Sequence, residues 1–269
     1  MHPIERLRHV ARAEGAGPSL IAREAAAALA GFGDDPTGLV TACRRLVERH
    51  PTAGTMWWLA ARVLAATDPM GETWRAAEEL EDDDTPAVLL RALPTEGTVA
   101  VLGWPEQAGD ALRRAGEVEL LVIDAGGRWT GVVDRLERRG IDAVDVPEGG
   151  LGAAVAASDL LVLEASALGP DGFVADSGSR AAAAVARHAG IPVWVVAGAG
   201  RVLPKRLWEA LVTRLELDAD AWDADDEVVP LDLADQVVGP RRLTSPDAAV
   251  KRADCPIPPE LLRLPHEPS

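Results

Sequence analysis

Lysine is almost missing from this chain: Lys205 and Lys251 stand among 27 basic residues, against 43 acids, for a net charge of −16. That balance argues against nucleic acid as a direct partner, because binding there rests on Lys and Arg neutralising phosphates. A local basic patch remains compatible with it. A lysine-poor, acid-rich surface fits salt adaptation and a high-GC genome equally. Cysteine is scarce too: Cys43 and Cys255 stand apart, with no Cys/His spacing suited to zinc. This excludes a disulfide framework and a metal knuckle and agrees with a reducing cytoplasm. Long apolar runs are absent, none approaching the ~18 residues of a membrane span. The start, MHPIERLRHVARAEG, has charges where a signal peptide needs an apolar core. The expectation is a soluble cytoplasmic protein with no membrane partner.

What is present suffices for a core, since 48% of the 269 residues are apolar. Residues 1–92 read as a helical domain. Ile4, Leu7 and Val10 recur at helical spacing; Pro18, Pro36 and Pro51 are placed to open further helices, and Gly31 and Gly33 to end one. Trp74 to Asp84 predicts another helix ending in an acidic run, with Pro86 and Pro94 bracketing a connection. From residue 93 onward the period changes. TVAVL, ELLVID, DAVDV, DLLVLE and IPVWVVA are short apolar runs separated by helical stretches. Strands alternating with helices predict a Rossmann-like doubly wound parallel sheet, an α/β fold, in a domain over residues 93–269. The five prolines of DCPIPPELLRLPHEPS predict an irregular, docked arm.

The stretch from Asp159 to Gly200 is the most informative, because it holds strand, loop, helix and strand in order. Ser177 or Ser179 is placed to cap its helix, and Gly190 to stop it. Ligands in open α/β sheets bind at the loop edge. Ser166, Asp171, Asp176, Ser177 and Ser179 are therefore expected to converge there, as ligand contacts or as makers of turns. No His or Cys lies among them, so a serine nucleophile has no base. Glu164, Asp171 and Asp176 would repel a bare phosphate. Gly198-Ala199-Gly200 lacks the third glycine of a dinucleotide fingerprint, and no cofactor is expected. Pro147 to Gly152 reads as a tight turn or as an anion-holding helix start. His50 reads as a surface residue at a helix start or as a ligand neighbour.

His50-Pro51-Thr52-Ala53 before a Trp-rich helix resembles the Arg-Pro-Thr-Ala start found in the superfamily of initiation factor 2B alpha, beta and delta subunits, methylthioribose-1-phosphate isomerase and ribose-1,5-bisphosphate isomerase. Thr98 to Trp104 looks like that family's strand and following turn. Gly140-Ile141 resembles its Ala-Gly-Ile-Pro step, and Asp159 to Ser179 its Gly-Ala-Asp, Asn-Gly and Asn-Lys-Ile-Gly-Thr signature. Pro258-Pro259-Glu260-Leu261 is similar to its terminal Pro-Pro-Glu-Leu. The resemblance implies a helical domain before a Rossmann-like one. It also implies a homodimer, for which the helix carrying Trp208 and the terminal arm are expected to offer apolar surface.

The departures bear on function. The isomerases' cysteine and aspartate fall at Gly103 and Ser166, their Asn-Lys pair at Asp176-Ser177, the Arg of Arg-Pro-Thr at His50, and the Arg-Gly stretch at Glu14-Gly15. Each lost charge-assisted bond to phosphate removes about 1.5–3 kcal/mol. The resulting expectation is a non-catalytic binding or regulatory protein with a degenerate pocket for a sugar phosphate or nucleotide. His50, Thr52, Gly103, Ser166, Asp171, Asp176, Ser177 and Ser179 are its candidate contacts. The alternative is a sugar-phosphate isomerase in which Asp171 or Asp176 replaces the lost acid. A third reading is a structural subunit of a larger assembly.

Overall fold

The computed structural model describes residues 18–32, 35–127, 129–216, 220 and 222–262. The N-terminal helices run α1 (Pro18–Leu29), α2 (Pro36–Arg49), α3 (Gly54–Ala65), α4 (Pro69–Glu81) and α5 (Thr85–Ala92). Ile4, Leu7 and Val10 lie outside the described residues. Proline at the first turn and an aspartate before it start α2 and α4, where the Asp35 and Asp68 carboxylates accept the amides of Gly38 and Gly71 at 2.9 and 3.0 Å. Pro51 does not open a helix as expected; α3 begins at Gly54, after a turn. The segment between Pro86 and Pro94 is no plain connection either. It contains α5, whose Val88 and Leu89 pack against the strands.

The α/β part runs β1 (Glu96–Leu102), α6 (Glu106–Leu112), β2 (Glu117–Asp124), α7 (Val132–Glu137), β3 (Ala143–Pro147), α8 (Leu151–Ala157) and β4 (Leu160–Glu164). After these come β5 (Ala167–Leu168), β6 (Gly172–Asp176), α9 (Ser179–Ala189), β7 (Val193–Val196) and α10 (Lys205–Glu216). The chain continues through β8 (Asp226–Pro230), β9 (Gln236–Val238), β10 (Leu243–Thr244) and α11 (Pro246–Val250). Seven strands form the main sheet in the order β10-β9-β7-β4-β1-β2-β3. All neighbours pair in parallel except β10, which lies antiparallel on β9. Alternation within a strand sends side chains to opposite faces. Val99 and Val101 meet α5, α6 and α7, whereas Ala100 and Leu102 meet α8 and α9.

The stretch from Asp159 to Gly200 departs from a simple strand-loop-helix-strand unit. Its presumed loop folds into β5 and β6, which join the later β8 in an antiparallel sheet of three strands. The acid-rich segment after α10 thus supplies a strand that sequence pattern did not reveal. A third core holds α1 to α4 against α10 and the terminal arm, with Trp57, Trp58, Trp208 and Leu261 inside it. The arm is docked as expected: Arg44 Nε and Arg214 Nη2 donate to the carbonyls of Glu260 and Leu261 at 3.0 Å each. Trp208, 2% exposed, and Leu261, fully buried, are covered within the chain, whereas Ile257 of the arm is exposed.

Candidate functional site

The six parallel strands run in space as β3-β2-β1-β4-β7-β9, so the order reverses between β1 and β4. A crevice outside their carboxyl ends is where such sheets hold ligands. Here that crevice is filled by the chain's own charges. The Glu164 carboxylate, at the end of β4, accepts the amides of Gln107 and Ala108 at 2.9 and 2.8 Å and the Arg201 guanidinium at 2.7 Å. Arg201 also donates to the Ala165 carbonyl at 2.8 Å. The two side chains are 7% and 1% exposed, so the pair is dry. Beside it, Asp83 reaches over from the helical part to accept Gln107 Nε2 at 2.5 Å and the Ala199 amide at 2.8 Å. Gly198 admits this approach; a Cβ there would stand 2.3 Å from the Gln107 amide and 2.4 Å from the Asp83 carboxylate.

Gly103, directly after β1, has φ +63°, and a Cβ on it would come within 2.4 Å of Trp129 Nε1. Trp129 is held in place by its own amide, which donates to the Asp124 carboxylate at 3.2 Å. The indole thus covers the position where a side chain would otherwise face the crevice. Ser166 turns its hydroxyl inward, donating to the Val174 carbonyl at 3.3 Å, and its carbonyl accepts the Gly54 amide at 2.9 Å. This contact brings the His50–Thr55 segment to the β4 end. His50 Nε2 and Thr55 Oγ1 are buried there without a hydrogen-bond partner among the described residues, and Thr52 is half-buried beside them. Burial, and secondarily the Arg49 charge, lowers the His50 pKa from its usual 6.5.

The remaining candidates separate. Asp171 and Asp176 flank β6 at opposite ends, about 16 Å apart at the usual strand rise. The Asp171 carboxylate is bound to the Trp208 indole N–H, so it does not join the others at the crevice. Asp176 to Ser179 do lie near it, since a Cβ on Gly178 would stand 3.2 Å from Ala125 Cβ and 3.7 Å from Leu102. Neither Ser177 nor Ser179 caps α9. Ser177 Oγ donates to the Ala224 carbonyl at 2.5 Å, Ser179 is buried, and the cap is Glu227, whose carboxylate accepts the amides of Gly178 and Arg180 at 2.7 and 3.0 Å. A carboxylate from β8 therefore occupies the helix start that would favour an anion.

Cys43 and Cys255 are buried, and burial pushes both thiols up to about 12, so neither offers a nucleophile. Among the described residues no group of His, Cys, Asp and Glu is arranged to hold a metal. No helix among them is long and apolar enough to cross a membrane. A cavity of about 980 Å³ opens to one side of the crevice, beyond β7 and β9. Of the expected edge, Ala197 to Gly200 line it; its other walls come from Arg75, Glu78, Glu79 and Asp82 to Asp84, from Gly239 to Arg242 and from Lys251 to Asp254. Sequence reasoning missed these walls, although the pairs Arg241-Arg242 and Lys251-Arg252 are concentrated base in an acidic chain.

Neither a protein-family profile nor a curated protein matches the sequence. Solved structures do match. Translation initiation factor eIF-2B of Pyrococcus horikoshii OT3 superposes with a TM-score of 0.75 over 92% of this chain and 98% of its own, at 12% identity. The tetrameric eIF2B beta2-delta2 complex of Chaetomium thermophilum gives 0.72 over 93% of each chain at 17% identity. The 5-methylthioribose 1-phosphate isomerase of Pyrococcus horikoshii OT3 gives 0.63 over 93% of this chain and 87% of its own at 16% identity. Superposition over nearly the whole of each chain shows that this chain has the fold shared by initiation factor 2B subunits and methylthioribose-1-phosphate isomerase.

Proposed function

We propose that this protein is a non-catalytic binding or regulatory relative of those proteins, acting in the cytoplasm as a homodimer. The observation that carries the proposal is the Glu164 carboxylate seated at the switch point, on two backbone amides and the Arg201 guanidinium. A sugar phosphate entering there would have to displace a buried ion pair. Glu227 adds a second internal carboxylate at the start of α9. By resemblance, the isomerases' cysteine and aspartate correspond to Gly103 and Ser166, which carry neither a thiol nor a carboxyl group. General acid-base help contributes about 10²- to 10⁴-fold, so losing both groups removes most of the rate. The chain should show no turnover of 5-methylthioribose 1-phosphate or ribose 1,5-bisphosphate in a coupled aldose-ketose assay. Turnover on the order of one per second, a common enzyme rate, would refute the proposal.

A further inference from the structure

The cavity beyond β7 and β9 has mainly acids on its helical wall, where Arg75 is paired with Glu72 at 2.8 Å, and mainly bases on its α/β wall, where Asp254 is the one acid among the described lining residues. On the α/β side, the turn after β9 presents Arg241 and Arg242, and the turn after α11 presents Lys251 and Arg252. All four are exposed, and none has a carboxylate within 4.0 Å among the described residues. In a chain where acids outnumber bases 43 to 27, unpaired cations gathered at one rim run against the average composition. On the helical side, Glu78 and Asp82 project from the end of α4, exposed and likewise without a basic partner within that distance. Between the walls the floor is Ala197 to Gly200 with Trp58. Gly200 keeps it shallow, since its φ is +73° and a Cβ would touch the Trp58 ring at 2.9 Å.

Opposite charges that face each other without pairing leave both hydrated and available. A cavity of about 980 Å³ lies at the upper end of the range for small-molecule sites. A bare anion would be repelled by the acidic wall and a bare cation by the basic one, whereas a molecule with separated charges satisfies both. We infer that this cleft binds a dipolar ligand of tripeptide size, its anionic end against Arg241, Arg242, Lys251 and Arg252 and its cationic end against Glu78 and Asp82. The cleft lies apart from Gly103 and Ser166, so the inference stands whether or not the chain isomerises a sugar phosphate.

Isothermal titration calorimetry tests this with three probes of one length: Lys-Gly-Glu, the all-cationic Lys-Gly-Lys amide, and the all-anionic acetylated Glu-Gly-Glu. Lys-Gly-Glu should bind with Kd on the order of 100 μM in low salt, at least tenfold tighter than either control. Two double variants, Arg241→Ser with Arg242→Ser and Glu78→Gln with Asp82→Asn, should each weaken it about tenfold or more, a loss typical of charge-assisted bonds. These substitutions are at exposed positions, and unchanged circular dichroism verifies folding. Arg138→Ser with Arg139→Ser, on the far turn after α7, should leave binding unchanged. The inference is overturned by absence of heat with Lys-Gly-Glu up to ~10 mM, by equal binding of the three probes, or by binding that both wall variants leave intact.

Discussion

Arg201 offers the sharpest test of how the switch point is closed. The side chain is 1% exposed and its Nη1 bonds both the Glu164 carboxylate at 2.7 Å and the Ala165 carbonyl at 2.8 Å. Arg201→Met keeps the apolar stem and removes the charge, leaving Glu164 buried with only the amides of Gln107 and Ala108. Breaking a buried pair from one side costs about 3–5 kcal/mol, because the surviving ion is left uncompensated. The two remaining amide bonds place this case near the lower end, about 3 kcal/mol. At about 2–4 °C per kcal/mol for a chain of this size class, the midpoint of thermal unfolding should fall by about 6–12 °C. Glu164→Gln should cost a similar amount, and the double variant less than the sum, with a coupling of at least about 1 kcal/mol. Scanning calorimetry on the four proteins measures this. A fall under about 2 °C for Arg201→Met, or strict additivity in the cycle, would refute the account of a charge-filled crevice.

His50 sets a pH dependence whose sign follows from its depressed pKa. The unfolded chain binds the proton more readily than the folded one, so stability rises with pH and is lost as pH falls below about 6.5, toward the folded value. Denaturant midpoints between about pH 7.5 and 5.5 should therefore drop further in the wild type than in His50→Gln; parallel curves would contradict the burial of Nε2. For the proposed homodimer, light scattering should return about twice the 28.3 kDa of one chain, and 28.3 kDa throughout the micromolar range would exclude it. Truncation from Asp254 should lower the thermal midpoint of each chain, not merely weaken the dimer, because Leu261 sits inside the core and Arg214 is anchored to its carbonyl.

Local pattern was enough to determine much of this protein. The change from helical spacing to short apolar runs after residue 93 specifies a helical region followed by a parallel α/β sheet, because an alternation of buried strands and amphipathic helices has few packed solutions. Proline placement located the starts of α1 and α2, since Pro is tolerated at the first helical turn, whereas α4 begins at Pro69, five residues before the expected Trp74. The motif residues also pointed to the fold that the matching solved structures have. The tertiary structure alone decided what happens at the carboxyl edge. Asp171 and Asp176 are close in sequence, yet β6 holds them at opposite ends and gives Asp171 to Trp208. Glu164 and Arg201, Asp83 and Ala199, and Glu227 and Gly178 are separated by 37, 116 and 49 positions, and no periodicity links such distant partners. The two walls of the cavity likewise meet only because α4 and α11 come to the same edge. Hydrophobic period records which face of an element is buried, but pairing between charges depends on where folded elements end in space.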